Sequence, residues 1–239
     1  MPEASITTRE ALGDRAPSIS TVAVPYDRPI TVGRAGQVTL GVGVADSGIS
    51  RIVATVTATV EGWTISDTSR NGIIIHPWGL ATIRATAANR LRWPLIGLRV
   101  LGAQPDARHW LLLECSHYPI DGAGSTRGAT TTVQTDPPRP LTSAEKEALD
   151  TVFESMLAWP PLLVPGDPLQ LKQAGRKLGI SASAVKVRLE GARAKAEALG
   201  LEQQVGVTDP TYLHTLVAAG YVHAPSAPDR AGSTVCRGT

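Results

Sequence analysis

Thr68-Ser69-Arg70-Asn71-Gly72 decides how the first half of this chain is read. It lies between two strand-like runs, Gly62-Trp63-Thr64-Ile65-Ser66-Asp67 and Ile73-Ile74-Ile75-His76. Asn-Gly between apolar runs predicts a tight turn, because both residues tolerate positive φ. Upstream, Val32-Gly33-Arg34 and Gly48-Ile49-Ser50-Arg51 set two more arginine-bearing stretches at expected strand ends. Together these stretches can gather donors around one anion. Arg34 brings a guanidinium fork, Ser50 a hydroxyl and Arg51 a second cation, while Ser69 and the backbone N–H groups of Arg70-Asn71 complete a cradle. Asn71 both donates and accepts, which suits a grip on the backbone of an extended peptide.

The surrounding sequence is β-like. Val22–Val24, Ile30–Val32 and Val38–Leu40 are short branched runs separated by Pro, Asp and Gly. In Ile52–Val60, Thr55, Thr57 and Thr59 alternate with Val56, Ala58 and Val60, as one wet and one dry face require. Further runs at Leu80–Ile83, Leu95–Leu101 and His109–Cys115 complete a series of short strands with turn signals between them, the pattern of an all-β sandwich or barrel. Residues 1–20 show no sustained period and read as a flexible lead-in.

Composition sets the limits. The chain has 239 residues, 42% hydrophobic and 18% charged, with a single Phe, two Met and five Trp. Its core must therefore come from Val, Ile, Leu, Ala and the tryptophans. A net charge of +2 does not by itself argue for nucleic acid or membrane. Cys115 and Cys236 are far apart and build neither a disulfide framework nor a metal site. Met1–Ser5 is not followed by an apolar core, and Arg or Pro interrupts every apolar segment, so a cytoplasmic protein without membrane spans is expected. His76, His109, His117, His214 and His223 lack metal-ligand spacing, and no Gly-rich Lys-Ser or Lys-Thr loop is present. The expectation is a protein that is not an enzyme and has no metal or cofactor.

After Cys115 the composition shifts. Gly, Thr and Pro dominate residues 117–140, which read as a linker. Thr142-Ser143-Ala144-Glu145 then offers a capping box, and Leu149, Val152, Phe153, Met156 and Leu157 share one helical face up to Trp159-Pro160-Pro161. A second helix is expected over Pro168–Leu178, closed by Gly179, and a third from Ser181 to about Leu199. Between Lys172 and Lys195 stand seven basic residues against one acidic, Glu190. Thr208-Asp209-Pro210 caps a last short helix, and residues 224–239 read as a disordered tail. The organisation is thus a lead-in (1–20), a β domain (21–116), a linker (117–140), a helical domain (141–223) and a tail (224–239).

In this order Gly33-Arg34, Ser50-Arg51, Gly62-Trp63, Asp67, Ser69 and Asn71-Gly72 resemble the forkhead-associated (FHA) domain, over about residues 20–115. The resemblance implies a β-sandwich that binds phosphothreonine peptides through loops at one end. It implies that Arg34 and Ser50 hold the phosphate, Arg51 and Arg70 assist, and Asn71 grips the peptide main chain. The implied partner is a phosphothreonine protein, the substrate of a Ser/Thr kinase. The family usually carries a His where this chain has Val53 and a Thr where it has Ile73. That His supports the architecture of the binding loops, and that Thr braces the turn.

Residues 141–200 resemble the helix-turn-helix of response-regulator and sigma-factor type regulators, through Leu141-Thr142, Leu171, Ala174, Leu178-Gly179-Ile180-Ser181, Val185 and Leu189. That resemblance implies double-stranded DNA as a partner. Ser181 and Ser183 would lie at the start of the groove helix, with Lys186, Arg188 and Arg193 available for phosphates or bases. The combined reading is a signalling adaptor or transcriptional regulator of actinobacterial type. The alternative is a DNA-binding regulator or assembly scaffold whose FHA-like domain no longer binds phosphate strongly.

Overall fold

Ala54–Thr59 shows how the β half is built. Along this strand Ala54, Val56 and Ala58 are buried while Thr55, Thr57 and Thr59 are half-exposed. The period of two puts every small or branched apolar residue on one face. The strand ends before Val60, which is 77% exposed in the following turn.

The computed structural model describes residues 4–13, 15–118, 137–161, 166–201 and 203–225. The chain divides into two compact units, Met1–Ile120 and Asp121–Thr239. The first contains β1 (Ala4–Leu12), β2 (Ser18–Val24), β3 (Ile30–Gly33), β4 (Val38–Thr39), β5 (Ala54–Thr59), β6 (Gly62–Asp67), β7 (Ile73–Pro77), β8 (Ile83–Arg84), β9 (Asn89–Leu91), β10 (Leu95–Val100) and β11 (Ala107–Cys115). They form a β-sandwich of one six-stranded sheet, β2-β1-β11-β10-β7-β8, and one five-stranded sheet, β4-β3-β5-β6-β9. The core holds Ile6, Val32, Val56, Ile65, Ile75, Leu98 and Leu111, all at 0% exposure. Each such side chain contributes about 1.5–3 kcal/mol of burial. All five tryptophans are buried, as their reading as core residues expects.

Two expectations need correction. Residues 1–20 are not a flexible lead-in. β1 lies inside the six-stranded sheet, paired along its length with β11 and with β2. Its inward positions include Thr8 and Glu10, both buried, and these polar residues hide the alternation from a reading of hydrophobicity alone. Nor is Thr68–Gly72 a hairpin turn. β6 pairs with β5 and β9, whereas β7 pairs with β10 and β8, so the stretch carries the chain from one sheet to the other. Gly72 takes φ +96°, and Asn71 stays at negative φ.

The second unit contains α1 (Ser143–Val152), α2 (Glu154–Leu157), α3 (Leu171–Leu178), α4 (Ala182–Ala198) and α5 (Pro210–Ala218). The Thr142/Glu145 capping box forms, Asp209 caps α5 with Pro210 just inside, and Gly179 closes α3 at φ +67°. Ser181 caps α4 through Ala184 N, and α3 and α4 are therefore joined by a short glycine turn. Gly175 lets α3 approach this turn, since a Cβ there would meet Ile180 O at 2.8 Å. Leu149, Phe153, Val185, Leu189, Tyr212, Leu213 and Leu216 make the shared core. Most of the expected linker and tail lies outside the described residues.

Candidate functional site

The ends of β3, β6 and β10 and the starts of β5, β7 and β11 come together at one end of the sandwich. This follows from the registers Val32↔Ala54↔Asp67 and Ile73↔Val100↔His109. The loops between these strands carry every residue of the expected anion cradle.

The first contact depends on Gly33. Its φ is +146°, and a Cβ there would run into the Arg51 carbonyl and stand 2.9 Å from Ile52 Cα. Without a side chain, the β3–β4 turn lies directly against the segment that precedes β5. Arg34 N donates to Ser50 O at 3.2 Å and Ala35 N to Arg51 O at 2.9 Å. The Arg34 guanidinium is then aimed by Nε, which donates to Ile49 O at 2.6 Å. Its two terminal nitrogens have no partner among the described residues, and the side chain is exposed.

The turn that opened the sequence reading joins the same cluster. Arg70 N donates to Ser50 Oγ at 3.3 Å, and Asn71 Nδ2 donates to Gly48 O at 3.2 Å. Thr68 N also donates to Val53 O at 2.9 Å. Ser69 is occupied within the turn, its hydroxyl donating to Asp67 Oδ1 at 2.6 Å and accepting from Gly72 N at 2.9 Å. Ser69 therefore braces the turn instead of presenting a free donor. Ser50 keeps its hydroxyl proton available, and the Arg51 and Arg70 side chains are exposed with no side-chain partner among the described residues. Arg84, on β8, donates to Asn71 O at 3.3 Å and adds a further cation beside the turn. Sequence reading missed it because β8 has only two residues and no motif marks it.

A buried polar network supports these loops from below. The Asp46 carboxylate, inside the β4–β5 loop, accepts from Gly48 N at 2.8 Å, Ala103 N at 3.1 Å and Gln104 N at 3.2 Å. It therefore fastens the β4–β5 loop to the β10–β11 loop. Gly48 permits this approach, since a Cβ there would collide with Ala103 N. His109 Nε2 lies 3.3 Å from Asp46 Oδ2, and His109 Nδ1 lies 2.7 Å from Glu10 Oε1. Glu10 in turn accepts from Gly41 N at 2.5 Å and Gly43 N at 3.0 Å.

Both carboxylates stay ionised. Burial opposes the charge on Glu10, but the His109 hydrogen bond, the Gly41 and Gly43 amides and the His109 charge together hold its carboxyl below the usual range. Burial likewise opposes the charge on Asp46, and the Gly48, Ala103 and Gln104 amides with His109 overcome it. Each carboxylate thus faces one nitrogen of the same His109 ring. Nothing in the sequence marks this network. Glu10, Asp46 and His109 are far apart in the chain, and Glu10 lies in the stretch read as a lead-in.

Val53 and Ile73, the two departures from the FHA pattern, are both fully buried core residues. Position 53 fills the core beneath the loops, and polar bracing of the β4–β5 loop comes from Asp46 and His109 instead.

In the helical unit, Ser181 caps α4 and its hydroxyl lies 2.9 Å from that of Ser183. The basic cluster is largely paired. Lys177 meets Glu154 at 2.5 Å, Lys186 meets Glu190 at 3.6 Å, Arg188 meets Glu147 at 2.9 Å and Lys195 meets Glu145 at 2.6 Å. Arg193 lies 3.2 Å from Glu197 and donates to Val205 O at 2.9 Å. Three of these glutamates come from the α1–α2 segment, outside the window in which charge was counted along the sequence. Lys172 and Arg176 alone of the seven have no ionic partner among the described residues.

No family model matches the chain, and no curated protein matches it. Among solved structures, the chain is similar to the FHA domain of the CT664 protein from Chlamydia trachomatis, at 16% identity and a TM-score of 0.33, over 46% of this chain and 96% of that one. It is also similar to Rv1747 FHA-1 of Mycobacterium tuberculosis, at 19% identity and a TM-score of 0.28, over 48% of this chain and 98% of that one.

Proposed function

We propose that the N-terminal unit recognises phosphothreonine in an extended peptide, within Ser/Thr-kinase-linked signalling. One observation supports this reading above the others: hydrogen bonds stitch three loops together around Ser50, where Arg34 N meets the Ser50 carbonyl, Arg34 Nε the neighbouring Ile49 carbonyl and Arg70 N the Ser50 hydroxyl. Arg51 and Arg70 on the same loops have exposed side chains, and Arg84 donates to the Asn71 carbonyl. A phosphothreonine carries about −1.5 to −2 charge and three acceptor oxygens, which matches a guanidinium fork and a hydroxyl donor. Asn71 retains its side-chain carbonyl for a peptide N–H while its amide holds Gly48. Ser69 serves by bracing the turn.

The test is a fluorescence-polarisation titration of the full chain with a degenerate phosphothreonine peptide library, with the unphosphorylated library as control. Phosphate-dependent binding that Arg34→Ala removes is the expected result. A well-folded protein indifferent to phosphate rules the reading out.

The helical unit is proposed to pass this recognition on to a protein partner or to DNA. DNA contact through Ser181, Ser183, Lys186, Arg188 and Arg193 requires the lysine and arginines to exchange glutamate partners for phosphates. Their pairing therefore favours a protein partner.

A further inference from the structure

Arg84 reaches the binding end from the six-stranded sheet, whereas Arg34, Ser50 and Arg51 lie on loops of the five-stranded one. Its backbone is held by pairing. Ile74 pairs with Arg84 and Ile75 with Ile83, and Ala85 N carries the ladder on to Ile73 O at 2.8 Å. Its guanidinium is held as well. Nη2 donates to Asn71 O at 3.3 Å, and the group lies against Gly72, where a Cβ would stand 2.8 Å from Nη2 and 3.4 Å from Cζ. The side chain is nevertheless exposed and has no ionic partner among the described residues. A guanidinium carries five N–H donors, and Asn71 O is the one acceptor that meets them among the described residues. An arginine already laid against a turn loses less freedom on capturing an anion than one free in solvent.

We propose that Arg84 reads an anionic side chain of the bound peptide and so determines which phosphothreonine sequences this unit accepts. This role presupposes phosphothreonine recognition at Arg34 and Ser50, and adds selection of the residues around the phosphate. Ser50 Oγ meets Arg70 N at 3.3 Å, and Arg84 Nη2 meets Asn71 O at 3.3 Å. Only the backbone from Arg70 N to Asn71 O separates these contacts, so the hydroxyl and the guanidinium are at most about 12 Å apart. An extended peptide covers that span in about four residues at most. A chain gripped at Asn71 thus brings a nearby side chain within reach of Arg84. The class of that side chain follows from what Arg84 offers. A planar fork of donors takes a carboxylate or a phosphate through parallel hydrogen bonds and has nothing to accept from a lysine. The acidic residues of the neighbouring loops are committed elsewhere. Asp67 accepts from Ser69 N and Oγ, and Asp46 is buried among the Gly48, Ala103 and Gln104 amides. The anion is therefore an aspartate, a glutamate or a second phosphorylated side chain of the partner.

Fluorescence polarisation on the full chain tests the proposal with phosphothreonine peptides carrying Asp, Glu, Ala, Lys or a second phosphothreonine at each position up to about four residues away on either side. At one position the anionic residues should bind about fivefold tighter than Ala, the upper range for an exposed ion pair. Added salt should erode that difference. Arg84→Gln keeps an N–H for the Asn71 carbonyl but loses the charge, and should abolish the difference between acidic and neutral peptides. Arg84→Glu should invert the preference toward Lys. Whether the carboxylates or the second phosphate bind tighter identifies the source of the anion, and either order supports the proposal. Phosphate-dependent binding without regard to flanking charge overturns it and leaves phosphothreonine recognition intact. So does a preference that persists in Arg84→Gln, or a loss equal for acidic and neutral peptides, which would make Arg84 a brace of the turn. Indifference to the phosphothreonine itself overturns the recognition reading, and this role with it.

Discussion

His109 on β11 and Asp46 in the β4–β5 loop meet at 3.3 Å beneath the candidate phosphate site, and both side chains are at 0% exposure. The contact links a rigid central strand to the loop that presents Ser50 and Arg51. It also continues through His109 Nδ1 to Glu10, so that a single ring holds two buried carboxylates.

Replacing that ring should unsettle both stability and recognition. His109→Leu leaves Glu10 and Asp46 buried without the ring that bridges them, a loss of about 1–3 kcal/mol for buried acceptors that lose a partner. Urea denaturation should show a markedly lower midpoint. At urea-free conditions, amide hydrogen exchange at Gly48 and Asn71 should accelerate more than at strand β5. Uniform acceleration would assign His109 to global stability alone.

The carboxylates also set a pH dependence. Glu10 and Asp46 have folded-state pKa values below those of the unfolded chain, near about 4. Their contribution is therefore complete above the unfolded values and is lost as pH falls through the lower, folded ones. Unfolding free energy should decline on acidification below about pH 5, and Glu10→Gln and Asp46→Asn should each flatten that decline. Urea midpoints collected from pH 3 to 7 would read it.

Gly33 should tolerate no side chain. Gly33→Ala must place a Cβ where the Arg51 carbonyl lies, in a backbone region at φ +146° that itself costs about 1–3 kcal/mol. Relief requires the β3–β4 turn to move away from Ser50. Phosphopeptide affinity should fall even though no phosphate donor has been removed, and a variant with full affinity would show that the two loops act separately.

Arg34→Lys should behave much more like Arg34→Ala than like the wild type. Lysine keeps the charge but has neither the fork nor the Nε that donates to Ile49 O, so nothing aims it. Isothermal titration with a phosphothreonine peptide would separate the two contributions. Near-normal affinity in Arg34→Lys would mean that charge alone suffices.

For the helical unit, the ion pairs themselves are the lever. If glutamates shield α4 from nucleic acid, Glu147→Ala should free Arg188 and strengthen salt-sensitive binding to a random DNA duplex, raising the slope of log K against log salt by about 1. Fluorescence anisotropy across a sodium chloride series on the full chain would show it. Steep salt dependence already present in the wild type would favour DNA as the partner.

Local chemistry made a good part of this molecule legible in its sequence. The alternation in Ala54–Thr59, the Thr142/Glu145 box, Gly179 after α3 and Asp209-Pro210 before α5 depend on neighbours in the chain, and each forms as expected. The grouping of Arg34, Ser50 and Asn71 was likewise readable, because each sits next to a turn residue at a strand end. Long-range pairing decided the rest. β1 was hidden because Glu10 and Thr8 face inward, and a buried Glu is understandable only once His109 is known to stand opposite. Ser69 changed from donor to brace because Asp67 and Gly72 both reach its hydroxyl. The basic cluster of α3 and α4 lost its apparent excess because glutamates from α1 and α2 fold across it. Burial and charge pairing depend on what lies nearby in space, and that proximity comes from the packing of distant segments.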